Sequence, residues 1–263
     1  MPKPNRARRA LEPALLPLCC LALWQVLAMI LRQPLFPTPV EVLLSAGDCW
    51  RSLSAHMLAS LGRLLIGLAL ALLASLPLGL LLGLSDRADR CFSGFFYLGG
   101  PLPKAALLPL LILAFGIGNG SKTALVFLVL FFPLALSLRD AVREIPPVLY
   151  APYDAAGLGY LYKIRDVALP ACLPALFTSL RSGLTAGISI LFLAETYGTR
   201  FGMGFFIMDM WIRLDYAKML LGIILFGGAG FLLCRLTDFL ETRAIPGKRS
   251  KTQSARPDRG DPA

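Results

Sequence analysis

The chain has 263 residues, of which 56% are hydrophobic and 16% charged, and its 26 Lys and Arg outnumber 16 Asp and Glu for a net charge of +10. With a mean hydropathy of +0.67 there is too little polar surface to cover a soluble globule, which excludes an ordinary water-soluble domain. The excess positive charge follows the membrane topology derived below and has no aromatic-basic surface module with it, which argues against a nucleic-acid-binding footprint.

A helix needs about 20 mostly apolar residues to cross a hydrocarbon core. Six runs qualify in chain order: 14–31, 56–84, 102–115, 123–138, 173–194 and 219–236. The third and fourth are short and share the tight turn Gly116-Ile117-Gly118-Asn119-Gly120. The expected fold is therefore all-α, a polytopic membrane protein of about six transmembrane helices. Basic residues before the first run resemble a secretory signal, but no small-x-small cleavage site follows Ile30 and Arg32-Gln33-Pro34 ends the run, so the helix reads as retained. The expected organisation is a basic N-terminus over 1–13, a membrane domain over 14–245 and a disordered tail over 246–263, rich in Lys, Arg, Ser, Pro and Asp.

An even number of spans places both termini on one side. Of the 26 Lys and Arg, sixteen fall on the terminus side, six (Arg32, Arg51, Lys122, Arg200, Arg213 and Lys218) in the opposite loops and four in the spans. The positive-inside rule then predicts cytoplasmic termini in a plasma membrane.

The inventory of reactive groups is thin. Six cysteines without CxxC spacing, most in or beside spans, read as small buried apolar residues. His56 is the sole histidine, too few parts for a His-based metal centre or a hydrolytic triad, so no metal and no catalytic site is expected. The segment from Gly116 to Thr123 nearly spells the phosphate loop GxxxxGK[ST], but Ser121 stands where the second glycine is needed. Its neighbours are membrane-length runs and it lies on the outer side, so it reads as a glycine-rich hairpin with a lysine at the interface. Ion-coupled carriers usually place titrating groups in mid-membrane. Here the spans hold Arg63, Lys104, Arg181 and Arg235, near predicted ends where they can snorkel, with Glu195 just past the fifth. That inventory favours a motor supplied by another subunit.

Residues 139–170 form a polar, proline-punctuated island between two apolar runs, on the cytoplasmic side. Pro146-Pro147 ends the fourth helix, Gly157 supplies a left-handed or closely packed position, and Leu169-Pro170 is expected to start the fifth span, where the missing proline N–H costs nothing. Short helices over 152–156 and 160–168 would lie across the membrane surface as a handle, through which a partner could rotate the attached spans.

Several blocks in order carry a specific resemblance: Leu35 to Val42, Ser60-Leu61-Gly62-Arg63, Pro77 to Ser85, Pro103 to Leu110, and Phe115-Gly116-Ile117-Gly118. With Gly157 and Leu169-Pro170 in the island, the chain resembles a permease subunit of the nitrate/sulfonate/taurine branch of binding-protein-dependent (type I) ABC importers, from Leu35 to Glu241. The resemblance implies a permease-like bundle that moves a small anionic or polar solute, or a vitamin precursor, by alternating access. It implies a second permease copy, cytoplasmic ABC ATPase subunits that hold the ATP and Mg, an extracytoplasmic substrate-binding protein and a bacterial or archaeal plasma membrane. No cofactor and no catalytic residue would belong to this chain. The family's coupling signature is Glu-Ala-Ala, three residues, Gly, and later Leu-Pro. Aligned on Gly157 and Pro170, the triplet positions hold Ala151, Pro152 and Tyr153, with Asp154 the nearest carboxylate. Because proline is unfavourable inside a helix, the coupling helix is expected to start at Pro152. Lys104 either lines the pathway or snorkels, and Glu195 with the segment 195–216 either forms part of an outer gate or binding-protein contact or is ordinary interfacial polarity. Ser75, Gly79 and Gly83 allow close helix contacts, between subunits or within one. The alternative is a stand-alone carrier driven by an ion gradient.

Overall fold

The computed structural model describes residues 6–31, 33 and 35–245; the expected disordered tail and the first five residues of the expected basic N-terminus lie outside the described residues. Every regular element among them is helical. Four helices are long and apolar enough to cross a membrane: Ala46–Leu84, Asn119–Arg143, Tyr160–Glu195 and Tyr216–Ala244. A fifth crossing is possible by length and composition only as a bent pair, Asp86–Gly99 with Lys104–Phe115, which meet at 87°. Leu15–Leu31 is a shorter apolar stretch within a helix that begins at Arg6.

The described residues divide into two compact units, the first within 6–60 and 199–227 and the second within 61–198 and 228–245. In the first unit, α1 (Arg6–Leu31) is followed by α2 (Pro39–Leu44), a short helix in the segment expected as an outer loop. Thr38 and Glu41 form a capping box: the Glu41 N–H donates to Thr38 Oγ1 at 3.2 Å and the Thr38 N–H to Glu41 Oε2 at 2.8 Å. Trp24 Nε1 donates to Pro37 O at 3.2 Å. The long helix α3 (Ala46–Leu84) begins here and contributes His56 and Ser60, both buried. His56 Nδ1 accepts from the Gly202 N–H (3.0 Å) and Ser60 Oγ from the Met203 N–H (2.7 Å), satisfying the open amides at the start of α10 (Met203–Ile212). Phe201, Phe205 and Phe206 surround the imidazole, a structural use of the lone histidine.

The second unit contains the lower part of α3, then α4 (Asp86–Gly99), a 3-10 turn Lys104–Leu107, α5 (Leu108–Phe115) and α6 (Asn119–Arg143). It continues through α7 (Ala151–Ala155), α8 (Tyr160–Lys163), a π-turn Ile164–Ala168 and α9 (Leu169–Glu195), and includes the end of α11 (Tyr216–Ala244). The third predicted span, 102–115, is corrected here. Only its second half is α5, and residues 86–99, expected as loop, form a helix because Ser85 Oγ caps the Ala88 N–H and Asp86 and Asp89 occupy its first turn. The fifth span is corrected as well. Helix runs unbroken from Tyr160 to Glu195, so Leu169-Pro170 lies inside a continuous rod rather than at its start. The π-turn permits this: the Leu169 N–H bonds to Ile164 O, and the widened turn makes room for the proline ring.

α6 is the centre of this unit. Leu125, Val126, Leu130, Leu134 and Leu138 are wholly buried, and α9 packs along α6, with Ser137 Oγ donating to Ala175 O across the pair at 3.3 Å. Glycines set the spacing. A Cβ on Gly183 would stand 2.8 Å from Leu130 Cδ2, and one on Gly83 2.5 Å from Val142 Cβ. Ser75, Gly79 and Gly83 lie on one face of α3; Ser75 is buried, and the two glycines meet α6 of the same chain.

Gly79→Ala would put Cβ 2.6 Å from Leu138 Cβ and 2.9 Å from Ala135 O, so α3 and α6 must part. The expected cost is about 1–3 kcal/mol. Gly62→Ala, with nothing within 4 Å of the new Cβ, is expected to be neutral or stabilising by up to about 1 kcal/mol. Unfolding midpoints of the two variants in detergent check the contrast.

Candidate functional site

Two places in the second unit concentrate polar chemistry, one at each end of the α9 rod. At the Tyr160 end lies the island. Pro147–Leu149 is a 3-10 turn, and α7 starts at Ala151 with Pro152 in its first turn, where the absent N–H is an orphan in any case. Tyr153 and Asp154 follow, and the helix stops at Gly157. There the backbone is left-handed (φ +65°), the Leu158 N–H returns to Tyr153 O at 2.9 Å and the Gly157 N–H to Asp154 O at 3.1 Å. This is a complete Schellman motif, and no heavy atom lies within 4 Å of a Cβ built at Gly157, so its conformation rather than close packing calls for glycine. α8 then leads into the π-turn and the rod.

Asp154, the carboxylate nearest the triplet positions, is engaged within the loop by an ion pair to Lys163 of α8. The island exposes several apolar side chains, Leu161 at 78% and Val148 at 71%, with Leu149, Leu158, Tyr160 and Tyr162, alongside the charged Glu144, Arg165 and Asp166. Beneath it a cleft of about 540 Å³ is lined by Arg143, Tyr150, Tyr160 and Lys163 together with the ends of α3 and α6. The Tyr150 hydroxyl is buried there without a hydrogen-bond partner. Burial, then the neighbouring Tyr160 and Cys172, push its phenol above the ordinary range. Arg143 joins Asp86 (2.8 Å) and Asp89 (3.3 Å), binding the start of α4 to the end of α6.

The opposite end holds a buried charge cluster that sequence reasoning missed. Arg63 of α3, expected to snorkel, is buried: its Nη1 lies 2.6 Å from Glu195 Oε1 and its Nε donates to Asn119 Oδ1 at 2.8 Å. Lys122, expected at the interface, is also wholly buried and donates to Gly118 O (3.2 Å) and Gly198 O (3.3 Å). Glu195, weighed as part of an outer gate, is fully enclosed. The signal for this arrangement was three charged residues beside apolar runs, but the Arg63 partner is 132 positions away and no local pattern reveals it. Lys104 is placed differently. Its ammonium donates to Gly99 O at 2.8 Å and to Gly100 O, and it lies 5.0 Å from the Phe132 ring centroid. A cation at the carbonyl end of α4 stabilises the 87° bend. Arg181, midway along α9, pairs with Asp238 and Glu241 of α11 at 2.9 and 2.6 Å.

Membrane-length helices with a short-helix handle built onto one of them are the architecture of a polytopic membrane protein. The chain is a member of the family described as binding-protein-dependent transport system inner membrane component, which it matches over residues 75–246. It is 33% identical over 231 residues to the taurine transport system permease protein TauC of Escherichia coli, covering 85% of this chain and 84% of the relative. It is 29% identical to the putative aliphatic sulfonates transport permease protein SsuC of Bacillus subtilis, with 94% and 92% covered. Its fold is similar to a chain of the MetNI methionine ABC transporter in an inward-facing conformation, with TM-score 0.63, 19% identity and coverage of 73% of this chain and 96% of that one. The chain is thus an ABC importer permease, a multi-pass inner-membrane component, and the gradient-driven alternative is not favoured.

Within the charge cluster Arg63 is paired with Glu195, and Lys122 is held by backbone carbonyls. Glu195→Gln leaves Arg63 buried without its counter-charge and is expected to cost about 3–5 kcal/mol. Asn119→Asp adds a carboxylate beside Arg63 and is expected to stabilise by about 1–2 kcal/mol, as the guanidinium's bond to a neutral amide oxygen becomes an ion pair. Thermal unfolding of the purified variants checks both signs.

Proposed function

We propose that this chain is one of two identical permease subunits of an ATP-driven importer for a small polar or anionic solute. Taurine, aliphatic sulfonates, nitrate and a formylaminopyrimidine are the solutes in the names of its relatives, and a sulfonate-like or vitamin-precursor solute fits that range. An extracytoplasmic binding protein would deliver the solute, and the distribution of Lys and Arg supports cytoplasmic termini and a cytoplasmic island. ATP and Mg would be held by separate ATPase subunits, with no catalytic residue in this chain.

The observation that carries the reading is mechanical. α7 is joined through the Gly157 turn to α8, and α8 continues without a break into the membrane rod ending at Glu195, so a force on the handle reaches a spanning helix across one short, hydrogen-bonded turn. ATP binding would close the ATPase pair, bring the two handles together and turn the permeases outward; hydrolysis would reset them. Ala151, Pro152, Tyr153, Asp154 and Gly157 form the docking segment, and Leu169-Pro170 sits at the junction with the rod. The exposed Leu158, Leu161 and Tyr162 supply apolar contact where the family's triplet would supply a glutamate.

Co-expression with the candidate ATPase and co-purification in lipid test this. The wild type is expected to retain the ATPase. Leu161→Arg is expected to reduce its recovery about tenfold or more by placing charge in a desolvated contact, Asp154→Arg to reduce it by setting a like charge against Lys163, and Gly157→Pro to abolish it, because proline cannot adopt φ +65°. Failure of the wild type to retain any ATPase overturns the reading.

A further inference from the structure

The buried cluster at the far end of the α9 rod is not used by the handle, yet the same helix joins them. The rod of 36 residues is about 54 Å long at 1.5 Å per residue, well beyond the roughly 30 Å of a hydrocarbon core. Its two ends are held very differently. At the handle, the Asp154 side chain is 64% exposed in its pair with Lys163, and what holds this end to α3 and α6 is apolar packing of Ile164, Val167 and Leu169. At the other end, Arg63 and Glu195 are 5% and 0% exposed, and separating them would strand a charge away from water. Polar contacts fix the register at the second end and not at the first.

The second end ties four places together. Arg63 belongs to α3, Asn119 and Lys122 to the first turn of α6, Glu195 to the last turn of α9, and Gly198 to the turn that follows. Two glycine turns are bound into it. Lys122 bridges carbonyls of the turn before α6 and the turn after α9, and Gly198, at φ +57°, has its Cα face against Ile117 Cγ2. The π-turn lies near the handle end, where the helix departs from α geometry.

We infer that Arg63, Glu195 and Lys122 are positioning residues of the transport cycle: they lock the α3, α6 and α9 ends and the turns at 116–118 and 196–198 into one body. Displacement of the handle then moves those turns instead of being lost as slippage between helices. This rests on the handle being the ATPase docking site. In a chain lacking the clamp, the ATPase would still dock and hydrolyse, and the far turns would no longer respond.

The test uses the full chain assembled with its ATPase in lipid vesicles. Ile117→Cys, at a position 74% exposed, reports on the far turns through its labelling rate with a membrane-impermeant methanethiosulfonate, measured over the parent chain's own cysteines. The rate is compared between the nucleotide-free and ATP-vanadate states. In the otherwise native chain the two states are expected to differ about fivefold or more. Adding Glu195→Gln is expected to bring that ratio close to one while ATPase binding and hydrolysis persist. The exchanged pair Arg63→Glu with Glu195→Arg is expected to restore it, which a loss of general stability would not do. Where Glu195→Gln does not insert, Glu195→Asp, one methylene shorter, carries the comparison. An unchanged ratio in the Glu195 variants, or no nucleotide response in the otherwise native chain, overturns the clamp. Failure of the otherwise native chain to bind ATPase instead overturns the reading on which it rests.

Discussion

Inside a hydrocarbon layer a polar group has no water to fall back on, and that constraint orders most of this structure. It requires helices, since only they satisfy backbone groups within one segment. It also sets the terms on which exceptions occur. Pro77, Pro133 and Pro174 sit inside spanning helices, and near Pro170 the ladder shifts to a π-turn instead of breaking. Where the chain leaves helix, the ends are finished: Gly157 completes a Schellman motif, Ser85 caps α4, and His56 and Ser60 take the first amides of α10. Arg63 and Lys122 follow the same rule. Their donors meet a carboxylate, an amide oxygen and two carbonyls because burial leaves them no alternative.

Close packing supplies what the polar contacts cannot. Nothing hydrophobic drives helices together in lipid, so α3, α6 and α9 approach through small residues: Gly79 and Gly83 against Leu138 and Val142, and Gly183 against Leu130. Large side chains fit over positions that lack a Cβ, which sets the spacing of α3, α6 and α9 and leaves their register to the polar contacts. A helix held this way along its length transmits movement better than one in loose contact. The handle is the contrasting region, with apolar side chains outward and its ion pair in solvent. The continuous helix from Tyr160 to Glu195 is packed on one side against α3 and α6 through Ile164, Val167 and Leu169 and carries exposed apolar side chains where α8 begins.

Much of this was legible in the residues. The long apolar runs gave four spanning helices, and Gly157 stood out as a turn position because Asp154, Gly157 and Leu169-Pro170 punctuate an otherwise helical island. What remained hidden was hidden for physical reasons. α4 begins with charged residues and ends with aromatic ones, so averaging over a membrane-length window conceals it; its evidence is the local cap at Ser85. Leu169-Pro170 resembles a helix start because proline is ordinarily tolerated there, and only the i−5 bond from Leu169 to Ile164 explains how the helix continues through it. Arg63 and Lys122 looked like interfacial cations because position along a span is local information, whereas their pairing depends on which helices are brought together.

The altered triplet at 151–153 is best understood in the same terms. A glutamate at the first position would offer a partner an exposed carboxylate, but a solvent-exposed ion pair contributes little to binding. An apolar side chain that is already exposed, as Leu161 and Leu158 are, gains about 25 cal/mol for each Å² it buries. Replacing charge with apolar area therefore need not weaken docking; it changes what the partner must present. With Asp154 drawn back to Lys163, the docking proposed above would rest more on the apolar side chains of the handle than on a carboxylate at the triplet.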